Sequence, residues 1–156
     1  MKTHFLENLT MTAWKTGMNP TQEWVVLIAS QDAESASVWE RLFLQKGCCV
    51  VREVSPRHAL QSAGLVCPSL IILDLDLPHP ERLDLCRQLR SATQGIILVL
   101  TPIRNEQEIY QYYLAGVDEH LASPINPMAL LIKSMAWLVK QDWLDLQQVQ
   151  SGQVYK

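Results

Sequence analysis

Four short and nearly unbroken apolar runs divide the chain: 24–29 (WVVLIA), 48–51 (CCVV), 70–73 (LIIL) and 96–100 (IILVL). Such runs mark strands buried on both faces of a parallel sheet, where no alternation with polar residues is needed. A shorter segment, 119–122 (EHLA), reads as a fifth strand. Between these runs the apolar residues fall three and four apart, the spacing of a helix with one buried side. Val38, Trp39, Leu42 and Phe43 make the first such stretch, and Gly47 closes it in the C-cap role. Helices follow at about 57–65, 83–89 and 106–114, and Asn126-Pro127 opens a last one that continues to about Val149.

Strands that alternate with helices through short connections imply right-handed crossovers and a parallel sheet covered on both sides. In open sheets of this kind the working groups gather at the carboxyl ends of the strands. The residues to inspect are therefore 30–32, 74–78, 101–104 and 122–124.

Composition narrows the function. The chain has 156 residues, 48% of them hydrophobic, which is enough for one full core. A net charge of −3 leaves no basic footprint, so direct contact of this segment with nucleic acid is not expected. The apolar runs are far shorter than the ~20 residues of a membrane helix, and the first ten residues hold no signal-peptide core. Cys48, Cys49, Cys67 and Cys86 contain no CxxC pair, and buried reduced thiols in a cytoplasmic protein are the expectation. The organisation expected is a flexible N-terminal extension over 1–23, one domain over 24–140 and a helical extension or linker over 141–156.

At the four strand ends the sequence resembles the receiver domains of two-component response regulators, over roughly 24–140. PSLIILDLDLPHPERLDLCRQLR, from Pro68 to Arg90, looks like the strand, loop and helix around the family's phospho-acceptor, and places Asp74 at the acceptor position. IILVLT puts Thr101 at the switch-hydroxyl position, and LAGVDEHLASPINP supplies the family's Ala-Gly and Ser123-Pro124. The resemblance implies a CheY-like, flavodoxin-like α/β sandwich of three layers, with a five-stranded parallel sheet in the order 2-1-3-4-5 and five helices. It implies a signalling module and no enzyme.

Several positions depart from that pattern. The family's metal-binding acidic pair falls on Ser30 and Gln31, with Asp32 one residue late; its lysine falls on Ser123. The glycine usual in the loop after the acceptor is Arg82, the small residue after the switch threonine is Pro102, and the aromatic switch partner is His120, expected as an edge-strand surface residue. Magnesium favours anionic oxygen ligands in tight octahedral geometry, whereas Ser30 and Gln31 offer neutral ones. Ser123 removes the cation that would meet phosphoryl oxygens. No cofactor is therefore expected, with Asp32, Asp74 and Asp76 as weak candidate ligands should Mg²⁺ bind. Without the metal, Asp74 reads equally well as a loop cap accepting backbone N–H groups. Arg104 offers a positive charge from another direction.

By the family's register, Leu130, Leu131, Ser134 and Leu138 face the sheet. That leaves Met128, Ile132, Met135 and Val139 as a second apolar stripe on the last helix. On the fourth helix the same register turns Tyr110 and Tyr113 inward, with Ile109, Tyr112 and Leu114 outside. These residues border the face of the fourth helix, fifth strand and fifth helix, which the resemblance makes a dimerisation or output surface. The expectation is an atypical receiver acting by protein–protein contact, a homodimer through that face, with a sensor kinase or other signalling protein as partner and little or no aspartyl phosphorylation. The alternative is a conventional phospho-accepting regulator using Asp74 with a rearranged metal site. An enzyme on the same sheet finds no support, because no glycine-rich loop follows the first strand and no nucleophile–base pair is visible.

Overall fold

The computed structural model describes residues 23–154, with side chains as far as Val149. The flexible extension expected over 1–23 lies, apart from Glu23, outside the described residues.

Five strands and five helices alternate along the chain. They are β1 (Val25–Ser30), α1 (Ala33–Gln45), β2 (Cys49–Glu53), α2 (Pro56–Val66), β3 (Leu70–Asp74), α3 (His79–Ala92), β4 (Ile96–Thr101), α4 (Glu106–Leu114), β5 (Glu119–Ala122) and α5 (Pro127–Val154). All strand pairs are parallel and the sheet order is β2-β1-β3-β4-β5, as the sequence pattern and its resemblance imply.

Period-two alternation along the strands splits the core in two. Leu27, Ala29, Ile71, Leu73, Ile97 and Val99 point to the side covered by α2, α3 and α4. Val26, Ile28, Leu70, Ile72, Leu98 and Leu100 point to the side covered by α1 and α5. Both faces are apolar because both are covered, which is why the strands show no alternation in sequence.

Side-chain caps fix the helix starts. Asp32 Oδ1 accepts from the amides of Glu34 and Ser35 at the head of α1, Ser55 Oγ from His58 in α2, Asn105 Oδ1 from Gln107 and Glu108 in α4, and Asn126 Oδ1 from Met128 and Ala129 in α5. Gly47 follows α1 with φ 83°, a left-handed conformation open to glycine at little cost.

The orientation of α4 differs from the sequence reading. Tyr112 is completely buried, whereas Tyr110 is 62% and Tyr113 42% exposed. Tyr112 and Ala115, three apart, are the residues turned inward. The register carried over from the family pointed to the wrong pair. Tyr112 can be buried because its hydroxyl meets polar partners from α3, the requirement for any interior tyrosine. On α5 the expected inward residues Leu130, Leu131, Ser134 and Leu138 are all buried.

Two glycines give a paired test of this packing. A Cβ at Gly95, where the chain enters β4, would collide with the Pro68 carbonyl oxygen, while a Cβ at Gly64 in α2 meets nothing within 4 Å. Gly95→Ala should lower stability by roughly 1–3 kcal/mol. Gly64→Ala should leave it unchanged or raise it by up to about 1 kcal/mol through helix propensity. Urea unfolding of both variants checks the contrast, which equal effects would contradict.

Candidate functional site at the carboxyl ends of the strands

Parallel pairing sets Ser30, the last residue of β1, directly against Asp74, the last residue of β3. The Ser30 hydroxyl donates to Asp74 Oδ2 at 2.9 Å and accepts the Asp32 amide at 3.1 Å. Gln31 Oε1 accepts the Asp76 amide at 3.1 Å, tying the β1 end to the loop after β3. Asp32 is committed to capping α1, and its Oδ2 also accepts from the Ser35 hydroxyl at 2.8 Å. Those bonds hold the Asp32 carboxyl below its usual pKa, the Ser35 hydroxyl contributing most.

Gln31 and Asp32 line a cavity of about 280 Å³ together with Asp74, Asp76, Arg82, Pro102 and Ser123. Burial pushes the Asp74 carboxyl above its usual pKa, helped by the charges of Asp32 and Asp76 and opposed by the Ser30 hydrogen bond and the charge of Arg82. The residue expected as a loop cap takes its hydrogen bond from a side-chain hydroxyl instead.

Magnesium fits this arrangement poorly. Among the described residues no three His, Cys, Asp or Glu side chains converge as a metal cage. Ser30 spends its proton on the acceptor carboxylate, the Gln31 oxygen is taken by an amide, and Asp32 is turned to the helix end. The carboxylates left to a cation here are those of Asp74 and Asp76, which line the cavity together.

Arg82 is the residue that sequence reasoning undervalued. The sequence reading placed it in the loop after the acceptor, but it lies in the first turn of α3 and is only 6% exposed. Its Nε donates to the Leu75 carbonyl at 3.4 Å and its Nη1 to the Tyr112 hydroxyl at 3.2 Å. A buried guanidinium needs such partners. The Tyr112 hydroxyl also lies 3.0 Å from His79 Nδ1, while His79 Nε2 lies 2.8 Å from Gln111 Oε1. The charge that Ser123 does not supply thus reaches the cavity from α3. Arg104 aims elsewhere, donating to the carbonyls of Pro102, Ile103 and Ser123.

The switch positions are joined. Thr101 Oγ1 and His120 Nε2 share a hydrogen bond of 2.6 Å, and the Thr101 hydroxyl also accepts the Ile103 amide. His120 stacks on Tyr112 with ring centroids 5.8 Å apart. The expectation of a surface histidine on β5 is therefore corrected: His120 is half-buried, held between the switch hydroxyl and the Tyr112 ring. Burial depresses its pKa, with the charges of Arg104 and Arg82 acting in the same direction, so the imidazole is neutral at pH 7.

A fold of this topology whose third strand ends on an aspartate, and whose fourth ends on a hydroxyl paired to the fifth, matches one family. The model for the response regulator receiver domain fits residues 26–135. The chain belongs to that family. It is 26% identical over 122 residues to the transcriptional regulatory protein ResD of Bacillus subtilis, covering 78% of this chain and 50% of that one. Against the DNA-binding response regulator MtrA of Mycobacterium tuberculosis it is 26% identical over 117 residues, 75% of this chain and 51% of that one. The receiver thus spans about half the length of these curated relatives. The fold is shared with a CheY-like receiver from Methanospirillum hungatei (TM-score 0.70, 20% identity, covering 78% of this chain and 98% of that one). A response regulator from Clostridium difficile is similar (TM-score 0.68, 23% identity, 77% and 98%). The receiver is a signalling module of two-component type, and none of its described helices is long and apolar enough to cross a membrane.

The charge balance at Asp74 has a consequence for stability. A carboxyl whose pKa is raised by folding favours the native state at low pH, and that contribution is lost as pH climbs through the folded value. Asp74→Asn removes the cost of the buried anion. Its melting temperature should exceed that of the parent at pH 7, and the gap should close as pH falls towards about 4, the ordinary aspartate range. A variant that melts lower at pH 7 would mean that Ser30 and Arg82 together outweigh burial.

Proposed function

We propose that this receiver signals mainly through protein–protein contact, with little or no phosphoryl transfer to Asp74. The observation that carries the reading is the engagement of every group at the metal position: Ser30, Gln31 and Asp32 are neutral or turned away, each in a hydrogen bond of its own. Phosphoryl transfer depends on positioning and charge neutralisation, so losing metal ligands and lysine together removes most of its driving force. Arg82 offsets part of the negative charge but is tied to Leu75 and Tyr112. In this reading the pocket is a structural junction in a cytoplasmic domain of about 24–140, followed by the extension of α5.

The output face would be α4, β5 and α5. Leu114 is 70%, Ile132 63% and Met128 51% exposed, an apolar surface without covering chain among the described residues. Glu119 on β5 is anchored there by Lys133 at 2.9 Å and by Trp137 Nε1 at 2.8 Å, which fixes the strand against α5. Of the interface residues expected from sequence, Tyr112 is withdrawn, because it lies in the core, and Met135 is half-buried against the sheet. We assign the face to a homodimer, with a sensor kinase or another signalling protein as upstream partner.

A second reading, a conventional acceptor, is favoured by the accessible carboxylates of Asp74 and Asp76 in one cavity and by relatives named as transcriptional and DNA-binding regulators. Intact mass after incubation with Mg²⁺ and acetyl phosphate separates the two. The mass should stay that of the unmodified chain. A stoichiometric gain of one phosphoryl group, lost in Asp74→Ala, would establish the conventional reading.

The interface makes its own prediction. Sedimentation should give a dimer for the parent chain and a monomer for Leu114→Glu/Ile132→Glu, whose side chains are exposed and whose fold should be kept. Identical behaviour of the two would remove this face from the assembly.

A further inference from the structure

Two imidazoles flank the buried Tyr112 ring. His79, the first residue of α3, meets it edge-on with ring centroids 5.3 Å apart. His120 of β5 lies nearly parallel to it, at 5.8 Å and 22°. The protons around these rings can be assigned from the partners. Arg82 can only donate, and its Nη1 donates to the Tyr112 hydroxyl, whose single proton therefore goes to His79 Nδ1. His79 Nε2 then carries the hydrogen that Gln111 Oε1 accepts at 2.8 Å. The Thr101 hydroxyl is 1% exposed and already accepts the Ile103 amide. Its proton goes to His120 Nε2, its other partner among the described residues. Each ring completes its bonds as a neutral acceptor.

The surroundings of His120 keep it in that state. Arg82 on α3 and Arg104 in the loop after β4 are both cations that oppose a charge on the ring, as does burial. The Cys86 thiol of α3, its pKa pushed up by burial to about 12, stays neutral. From α4 come the Tyr112 ring, the Tyr113 hydroxyl, which accepts the His120 amide at 3.1 Å, and Glu108, whose charge acts on Tyr112. The acids beside His120 in sequence are engaged elsewhere: Asp118 with Arg90 and the Ile97 amide, Glu119 with Lys133 and Trp137 of α5. Among the described residues no carboxylate bonds to either imidazole.

A proton on His120 Nε2 turns an acceptor into a donor. The Thr101 hydroxyl then has no acceptor within the protein, and an unsatisfied buried donor is costly. A third positive charge is also added beside Arg82 and Arg104. The face of Tyr112 attracts a cation, but that single contact stands against two guanidiniums and a lost hydrogen bond. The ring is half-buried, so the solvent that best hydrates an imidazolium is close. Because the His120 amide is held by Tyr113, displacement of the residue is passed to α4.

We propose that the Thr101–His120–Tyr112 stack is an acid-released latch: on taking up a proton, His120 lets go of the Thr101 hydroxyl and leaves the Tyr112 ring, and β5 shifts against α4. The trigger is solution pH, and it operates whether or not Asp74 accepts a phosphoryl group.

Histidine titration by NMR in the full chain, across the physiological range in which histidine changes charge, tests this. The His120 ring signal, identified by its absence from His120→Phe or His120→Gln, should titrate with a midpoint below about 6.5, the ordinary histidine value. Backbone amides of α4 and β5 should shift with the same midpoint. Tyr113 is 42% exposed, so Tyr113→Phe should fold; it removes the hydroxyl that holds the His120 amide, and the α4 shifts should shrink while the ring still titrates. Stability gives a second readout. A base whose pKa is lowered by folding stabilises the native state above its unfolded value, and that contribution is lost as pH falls below it. The melting temperature of the parent should therefore drop more than that of His120→Phe as pH falls from about 7 to 5. A His120 midpoint at or above about 6.5, or amides of α4 and β5 that stay still in the parent while the ring titrates, would overturn the latch. Undiminished α4 shifts in Tyr113→Phe would overturn the route through Tyr113.

Discussion

A single lateral pairing governs the site. Parallel register sets the last residue of β1 beside the last residue of β3, and here that pair is Ser30 and Asp74. Two carboxylates at these positions would repel and call for a cation between them. A hydroxyl and a carboxylate instead satisfy one another, at a worth of about 1.5–3 kcal/mol for a bond to a charged group. The consequence spreads outward. Gln31 holds the Asp76 amide, and Asp32 caps α1. One substitution at a strand end thus changes the job of each polar neighbour from ligand to fastener.

Arg82 follows from the same logic. An arginine in the first turn of α3 must place a long cation somewhere, and the space near Asp74 accepts it because Tyr112 supplies an oxygen at 3.2 Å. Tyr112 in turn stacks on His120, which holds the Thr101 hydroxyl. The chain from Arg82 to Thr101 joins α3, α4, β5 and β4 through side-chain contacts. Such a network rigidifies when complete and is costly when broken. The hydrogen bond between Thr101 and His120 is thereby tied into the same network.

Most of the fold was legible because strands buried on both faces leave no choice of pattern. Leu70 to Leu73 cannot be an amphipathic helix of four residues, and Gly95 and Pro68 bound the strands they open. Asp74, Thr101 and Ser123 were legible through family spacing. What escaped was anything decided across elements. Tyr110, Tyr112 and Tyr113 are chemically alike, and only the presence of Arg82 and His79 under α4 decides which of them turns inward. Arg82 was read only as the residue at the family's glycine position, and the partners that bury it lie 7 and 30 residues away. His120 was misplaced for the same reason: its partner Thr101 is 19 residues distant and its stacking ring sits on another helix.

The apolar surface of α5 connects these points to assembly. A receiver that responds to phosphorylation needs a face whose shape depends on the switch residues. Here Thr101 and His120 are hydrogen-bonded to each other, and the neighbouring face carries exposed apolar side chains. Exposed Ile132 and Leu146 would be a liability on a protein that is alone for most of its life, since patches of this kind promote association. In the homodimer proposed above, a second copy would cover them.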